Sequence, residues 1–149
     1  MCRMGSPGAF ALYAALEMCY TLSEGRWRII GRYVIFRGKS GFRFNLLAAN
    51  GQIIGSSEVY TAKISCMTGI ESVRRNAPAA PLSDLSAGNP AVFPCPRFEL
   101  YTDRAGAYRF RLRARNGKII LVGEGYARKD GCLKGIESVR RNADSPVEE

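Results

Sequence analysis

The sequence contains no histidine among its 149 residues, which removes the commonest general base, proton shuttle and neutral metal ligand of proteins. Its cysteines number five, and no two of them have the CxxC spacing of zinc or redox sites. We therefore expect reduced thiols in a cytoplasmic protein, with no metal and no cofactor. Phosphate-loop, dinucleotide-binding and nucleophile-elbow motifs are also missing, so no catalytic constellation is present and we expect no enzyme.

The sequence also lacks an apolar run long enough to cross a bilayer. The mostly apolar segment at residues 9–22 is too short to span one and is interrupted by Glu17. It predicts either a short amphipathic helix packed on the body or an extension translated from an upstream start codon. In both cases we expect residues 1–31 to be an appendage that the fold does not need, and we expect no membrane partner.

What the sequence does contain is one unit in two copies. Residues 43–77 align without a gap on residues 109–143, and 21 of the 35 positions are identical. Such self-similarity indicates tandem repeats of one structural unit. The chain therefore divides into an N-terminal extension, repeat 1, a proline-rich linker with room for an edge strand, repeat 2 and an acidic tail, at residues 1–31, 32–77, 78–96, 97–143 and 144–149.

The pattern of each repeat predicts three strands followed by a helix. In the second strand of repeat 2, Phe110 and Leu112 alternate with arginines, which is the two-residue period of a strand. An Asn-Gly pair follows in each copy and predicts a two-residue type I′ hairpin turn, because both positions of that turn adopt positive φ. The turn residues are Asn50 and Gly51 in repeat 1 and Asn116 and Gly117 in repeat 2.

A two-residue turn fixes which residues face each other across the hairpin. On this basis Leu112 faces Leu121, and Ala114 faces Ile119. The same register places an arginine opposite a glutamate in each repeat, and we predict that both pairs are cross-strand contacts that stabilise by roughly 0.2–1 kcal/mol. The two pairs are Arg43 with Glu58 and Arg109 with Glu124.

An apolar stripe follows one side of the helix in each repeat. In repeat 1 the stripe consists of Cys66, Gly69, Ile70, Val73 and Ala77. A glycine inside a helix costs roughly 1 kcal/mol of helix propensity, so we expect Gly69 and its equivalent Gly135 to allow close approach of the helix to the sheet. Cys66 and Cys132 lie on the stripe, which favours buried structural thiols over reactive ones.

Charged residues close each helix. The arginine pairs at 74–75 and 140–141 complement the negative end of the helix dipole, which we prefer over anion binding as their role. Glu71 and Glu137 precede these arginines by three and four residues, a spacing that predicts ion pairs on the helix surface.

The net charge of +9 favours an anionic partner. Alternate positions of one strand in repeat 2 carry arginines, and their expected spacing of roughly 6.7 Å is close to the phosphate spacing of an extended nucleic-acid strand. These arginines are Arg109, Arg111, Arg113 and Arg115, and Tyr101 should share their side of the sheet. The alternative is an ordinary solvated sheet face, which the absence of this ladder from repeat 1 favours.

The stretches YRFRLRARNGKII and EGYARKDGCLKGIESVRRNA resemble the YegP-like family of small bacterial proteins, a domain of unknown function often found as tandem pairs. The resemblance implies an α+β fold in which two β-β-β-α-β units, in tandem or as a dimer, share one antiparallel sheet. Units this small complete one core by placing their sheets edge to edge, with both helices on one face. The resemblance further implies that the last short strand of each unit is swapped onto the other. The swapped strands would lie near residues 81–85 and 146–148.

We interpret the sequence as a noncatalytic basic binding module whose anionic partner is nucleic acid or an acidic protein surface. The alternative is a protein–protein interaction or assembly module that does not bind nucleic acid. In both cases a monomer with an internal pseudo-twofold axis is expected, because two copies of a unit this small complete one core together.

Overall fold

The computed structural model describes residues 19–23 and 26–148. Its first element is a hairpin of two antiparallel strands, β1 (Cys19–Ser23) and β2 (Arg26–Ile30). The predicted helix over residues 9–22 is therefore wrong for residues 19–22, and residues 9–18 lie outside the described part. The strand is favoured because the β-prone run at 27–30 offers this segment a pairing partner.

The remaining strands form one mixed sheet of eight, so the fold is α+β as expected. Repeat 1 contributes β3 (Arg32–Gly38), β4 (Gly41–Leu47), β5 (Ile53–Ser56) and α1 (Lys63–Asn76), and β6 (Leu82–Asp84) follows. Repeat 2 contributes β7 (Arg97–Thr102), β8 (Tyr108–Arg113), β9 (Ile119–Val122) and α2 (Lys129–Asn142), and β10 (Val147–Glu148) follows. The strand order is β10-β3-β4-β5-β9-β8-β7-β6.

The outermost strands are exchanged between the repeats, which confirms the swap implied by the resemblance. β6 follows α1 but pairs with β7, and β10 follows α2 but pairs with β3. Both swapped strands run parallel to their neighbours, while the six inner strands are antiparallel. The expected wholly antiparallel sheet is therefore mixed. The non-helical connection at residues 85–96 is long enough to let β6 and β7 pair in parallel.

An arginine at the end of each helix holds the segment that leads into the other repeat's swapped strand. Arg74 of α1 donates a hydrogen bond to the carbonyl oxygen of Ser145, just before β10, and Arg140 of α2 donates one to Ala80, just before β6. Glu71 pairs with Arg74 and Glu137 with Arg140, as the helical spacing predicted. The function of Arg74 and Arg140 therefore extends beyond the helix-dipole contribution expected for the arginine pairs.

The two repeats meet between β5 and β9, where Ser56 pairs with Val122. Gly55 and Leu121 occupy equivalent positions of the two copies and touch at this junction. A Cβ atom on Gly55 would lie 2.7 Å from the Leu121 side chain. The pseudo-twofold junction therefore has room for one large side chain, and the copies differ there for that reason.

Both helices pack on the sheet face that carries the aromatic core residues. Tyr33 and Phe44 meet edge to face at 5.7 Å in repeat 1, and the equivalent Phe98 and Phe110 meet at 6.2 Å in repeat 2. The helix stripes are buried as predicted. Each helix has 14 residues, and none of the helices in the described ranges is long and apolar enough to cross a bilayer.

The helix glycines permit a close approach, and the group that approaches is a tyrosine. A Cβ atom on Gly69 would lie 2.4 Å from the hydroxyl oxygen of Tyr60, and one on Gly135 would lie 2.4 Å from that of Tyr126. Each tyrosine forms an isolated bridge beyond the third strand of its repeat. The glycines therefore admit the tyrosine rings between helix and sheet.

The Asn-Gly turns form a three-residue loop instead of the predicted two-residue type I′ turn. The backbone amide of Gly51 donates to the carbonyl oxygen of Ala48, and the backbone amide of Ala48 donates to the carbonyl oxygen of Gln52. The loop therefore consists of residues 49–51. Gly51 has a φ of +86° and Gly117 has +85°, which supplies the left-handed residue that this loop requires. The extra loop residue shifts the register, and Ile119 faces Arg113 instead of Ala114. Leu112 faces Leu121 as predicted.

Candidate functional site

Three arginines lie on the sheet face opposite the helices, which we call the outer face. Phe110 and Leu112 of β8 are buried in the core, so the alternating Arg109, Arg111 and Arg113 lie on the outer face. Arg115 does not continue this ladder, contrary to the prediction. β8 ends at Arg113, and Arg115 is the first residue of the three-residue loop.

A buried carboxylate gathers two of these arginines and a third from β7. Glu99 is 2% exposed, and its Oε1 accepts a hydrogen bond of 2.5 Å from Arg111 Nε and lies 3.0 Å from Arg113 Nε. Its Oε2 lies 2.7 Å from Arg97 Nε. The proline-rich linker lies next to this cluster of side chains, since the Arg97 guanidinium also donates a hydrogen bond to the carbonyl oxygen of Phe93. We call Arg97, Glu99, Arg111 and Arg113 the arginine cluster.

The cluster carries excess positive charge because one carboxylate serves three guanidinium groups. Burial alone would raise the pKa of Glu99, but the hydrogen bonds from Arg111, Arg97 and Arg113 outweigh it and hold the pKa at about 2. Glu99 is thus ionised at neutral pH, and the net charge of the cluster is about +2 by formal count. The side chains of the three arginines are 20–26% exposed, so their charge reaches the surface.

Tyr101 lies on the outer face with the arginines, as expected. The guanidinium of Arg111 lies 4.4 Å from the centre of the Tyr101 ring, a cation–π contact. Arg109 faces Tyr101 across the strands and donates a hydrogen bond of 2.7 Å to Asp103. This bond and those from the Ala107 and Ala105 amides lower the pKa of Asp103. The cation–π contact with the Tyr101 ring also helps to orient the Arg111 guanidinium.

The two predicted cross-strand Arg–Glu ion pairs are wrong. Asn45 pairs with Ser56 and Phe42 with Tyr60, so residues 57–59 lie opposite residues 43–44 and form a bulge. The same bulge in repeat 2 places residues 123–125 opposite residues 109–110. Within the described ranges neither pair forms an ion pair, and Arg109 binds Asp103 instead. All four side chains line one groove of about 340 Å³ across the junction of the repeats: Arg43, Glu58, Arg109 and Glu124.

Repeat 1 keeps only one residue of the arginine cluster, Arg32, which takes the position of Arg97. The positions of Glu99, Arg111 and Arg113 are taken there by Val34, Asn45 and Leu47. Asn45 instead accepts a hydrogen bond of 2.9 Å from Ser56. Arg32 lies 3.5 Å from the carboxylate of Glu148 in β10, so this place has no excess charge in repeat 1 and is basic in repeat 2.

The helix cysteines are buried, as predicted. Cys66 and Cys132 are both free thiols with no exposed surface. Burial raises the pKa of Cys66, and it raises the pKa of Cys132 to about 11. A raised thiol pKa disfavours the nucleophilic thiolate, which makes these residues packing groups.

Glu99 and Arg97 are the site residues that sequence analysis missed. The run FELY in β7 was interpreted only as a short strand, although the pairing that placed Tyr101 beside the arginines also places Glu99 opposite Arg111. A charged residue between Phe98 and Leu100 was the available signal. In the described part of the chain, no three His, Cys, Asp or Glu side chains form a group that could hold a metal ion.

The fold and its two copies define a tandem-repeat α+β domain. The model of the family described as "Domain of unknown function (DUF1508)" matches residues 39–84 and 103–149. The two matches fall on the two repeats and cover more than half of the chain. The chain therefore belongs to this family, in its two-copy form.

Known relatives align with this chain over both repeats or over about the length of one. The UPF0339 protein YegP of Yersinia pestis is 35% identical over 119 residues, which are 79% of this chain and 93% of the relative. The solution NMR structure of yegP from E. coli, described as a protein of unknown function, has a TM-score of 0.66 at 33% identity and covers 80% of this chain and 91% of that one. A UPF0339 protein of Methanosarcina acetivorans is 62% identical over 47 residues, 32% of this chain but 81% of the relative, so it is about the size of one repeat.

Proposed function

We propose that the protein is a noncatalytic binding module that binds a single-stranded nucleic acid through the outer face of repeat 2. The observation that carries this proposal is the arginine cluster, in which one buried carboxylate fixes three guanidinium groups. Arg109, Arg111 and Arg113 follow one another at strand spacing of roughly 6.7 Å, close to the phosphate spacing of an extended strand.

Fixed arginines favour binding for an entropic reason. A free arginine side chain loses rotamer freedom when it contacts a phosphate, and this loss weakens association. Here Glu99 and Tyr101 already restrict Arg111, and Glu99 restricts Arg113. Little further ordering is required, so the excess charge of the cluster is available for the partner.

The proposal is tested by fluorescence anisotropy with a labelled single-stranded oligonucleotide over a range of salt concentrations. Three phosphate contacts predict that log affinity falls with log salt with a slope of about −2. The combined variant Glu99→Val, Arg111→Asn and Arg113→Leu gives repeat 2 the outer-face residues of repeat 1 and should flatten the slope towards about −1, leaving one contact from Arg109.

Lys134→Gln is the matched control, because it also lowers the net charge by one but lies exposed on α2. Equal binding by the combined variant and this control would contradict the proposal, as would the absence of binding at low salt. Binding of an acidic polypeptide in place of the oligonucleotide would identify an acidic protein surface as the partner.

We further propose a cytoplasmic monomer with an internal pseudo-twofold axis. Cys66, Cys95 and Cys132 are free thiols, which supports a reducing compartment. The swapped strands pair within one chain, which supports a monomer, since each repeat already has the strand it needs. Sedimentation equilibrium at several concentrations would contradict the monomer if the mass rose to that of a dimer.

A further inference from the structure

A cleft of about 560 Å³ lies between the end of α1 and the loop that joins β8 to β9. Arg75 and Asn76 of repeat 1 line one wall, and Arg115 and Asn116 of repeat 2 line the other. The cleft is separate from the arginine cluster, whose side chains do not line it. Both arginines of the cleft were singled out by the sequence, and neither has a role in the outer-face function.

The cleft carries two positive charges and no negative one. Arg75 and Arg115 are exposed, and no acidic residue lines the cleft. Across residues 19–23 and 26–148, neither guanidinium has an ion-pair or hydrogen-bond partner. Like charges in one partly enclosed space repel, and an anion between them removes that repulsion. A guanidinium presents a planar fork of donors that matches phosphate oxygens.

The other lining groups fit a phosphate joined to a small organic group. The amide oxygen of Asn116 accepts a hydrogen bond of 3.0 Å from the Lys118 amide, which leaves the Asn116 NH₂ group to donate to a ligand. Ala79 and Pro96 add apolar surface beside these donors. Polar donors beside an apolar wall are typical of small-molecule sites.

The equivalent positions in the other half of the molecule lack the second charge. Arg141 and Asn142 correspond to Arg75 and Asn76, but Ala49 takes the position of Arg115. Divergence of the two copies has therefore placed two arginines together on one side of the molecule only. This asymmetry supplies a matched control within the same chain.

We propose that the cleft binds a small phosphate monoester, held by Arg75 from repeat 1 and Arg115 from repeat 2. The ligand bridges the two repeats and occupies a part of the surface that the proposed nucleic-acid strand does not use. The two functions are therefore separable by mutation.

The test is isothermal titration of the full chain with phenyl phosphate in a phosphate-free buffer of low ionic strength. We expect one site per chain, and Arg115→Gln or Arg75→Gln should weaken binding about tenfold or more because each removes one charged fork. Arg141→Gln removes the same charge from the equivalent position and should leave binding unchanged. Ala49→Arg should create the second cleft and raise the stoichiometry to two.

Three results would overturn the proposal. Equal weakening by Arg115→Gln and Arg141→Gln would show that binding follows net charge alone. Phenol binding as tightly as phenyl phosphate would exclude phosphate recognition, and the absence of binding at millimolar phenyl phosphate would exclude the site. The outer-face variant Arg109→Gln removes an arginine that binds Asp103 and not the loop at 115–117, and it should bind phenyl phosphate as the natural protein does. A failure of the outer-face function therefore leaves this result intact.

Discussion

The guanidinium of Arg74 donates a hydrogen bond of 2.7 Å to the carbonyl oxygen of Ser145, a residue 71 positions further along the chain. Arg140 makes the reciprocal bond of 2.8 Å to Ala80. These arginines also cover the rings of Tyr33 and Phe98, at 5.5 and 5.2 Å from the ring centres. The segment GIESVRRNA is identical in the two repeats, at residues 69–77 and 135–143, and its first arginine connects each helix to the strand that the other repeat donates.

Loss of either arginine should loosen one swapped strand and leave the other in place. The amide of Tyr33 donates to Pro146, and the amide of Phe98 donates to Pro81, so these amides report on β10 and β6. Arg74→Ala removes a charged hydrogen bond of about 2 kcal/mol, which should speed hydrogen exchange at Tyr33 about thirtyfold. Arg140→Ala should do the same at Phe98 only.

Each variant is the control for the other in this exchange measurement. If both variants accelerated exchange at both amides equally, the pattern would indicate global destabilisation. It would contradict the assignment of Arg74 to β10 and of Arg140 to β6. Arg75→Ala, at an exposed neighbouring position, should change neither amide.

Replacing Glu99 alone should destabilise the fold strongly. Glu99→Val leaves three arginines without their shared buried carboxylate, a change expected to cost about 3–5 kcal/mol in the free energy of unfolding. Adding Arg111→Asn and Arg113→Leu removes two of the three unpaired arginines and should recover most of this loss. Recovery should not be complete, because Arg97 has no carboxylate like the one that Glu148 supplies to Arg32, its counterpart in repeat 1. Urea unfolding measures both, and additive losses would show that the residues do not act as a unit.

The arginine cluster should make stability depend on acid pH. The pKa of Glu99 is about 2 in the folded protein against 4.5 in its ordinary state, so the unfolded chain binds the proton more readily. The resulting stabilisation, on the order of 3 kcal/mol, is fully present above about pH 5 and is lost as the pH falls through about 2. Unfolding free energies between pH 6 and pH 2 should show this loss in the natural protein.

The combined variant Glu99→Val, Arg111→Asn and Arg113→Leu controls this pH measurement, because it keeps the other carboxylates. Its free energy of unfolding should fall less steeply over the same pH range. Parallel pH curves for the two proteins would rule out Glu99 as the titrating group.

The junction between the repeats should tolerate exchange of its two unlike residues. Gly55→Leu alone overpacks the site and should cost about 1–3 kcal/mol, while Leu121→Gly alone leaves a cavity and should cost about 3 kcal/mol or more. The double variant moves the large side chain to the pseudo-symmetric place and should be more stable than either single variant. A double-mutant cycle by chemical unfolding checks this prediction. Purely additive effects would show that the side chains at positions 55 and 121 do not occupy the same space.

The sequence predicted those features that depend on burial. The helix stripe from Cys66 to Ala77 and the alternation of Phe110 and Leu112 with arginines both follow from which side chains enter the core. The swapped strands at 82–84 and 147–148 were implied by the family resemblance, because neither is long enough to show a period of its own.

Features that depend on local backbone hydrogen bonds were not predictable in the same way. An Asn-Gly pair is compatible with a two-residue or a three-residue loop, and the choice is visible only in the bonds around Ala48. The bulge at 57–59 arises where the Ser57 hydroxyl accepts the amide hydrogen bond of Phe44 in place of a ladder partner. A register extended from the turn therefore misplaced Glu58.

Contacts between the two repeats could not be predicted from the sequence pattern of a single repeat. Arg75 and Arg115 come together only because α1 ends beside the loop of the other repeat. The hydrogen bond from Arg74 to Ser145 depends on the exchange of β10 between the repeats. Both follow from how the copies are arranged in space.

The outer-face proposal is tested most directly by NMR of the arginine side chains. A single-stranded oligonucleotide at low salt should shift the Nε–Hε signals of Arg109, Arg111 and Arg113, together with backbone amides of β7 and β8. Signals from the exposed surface of α2, such as Lys134, should not move. Unchanged arginine signals at saturating oligonucleotide, or shifts confined to the helices, would contradict binding at this face.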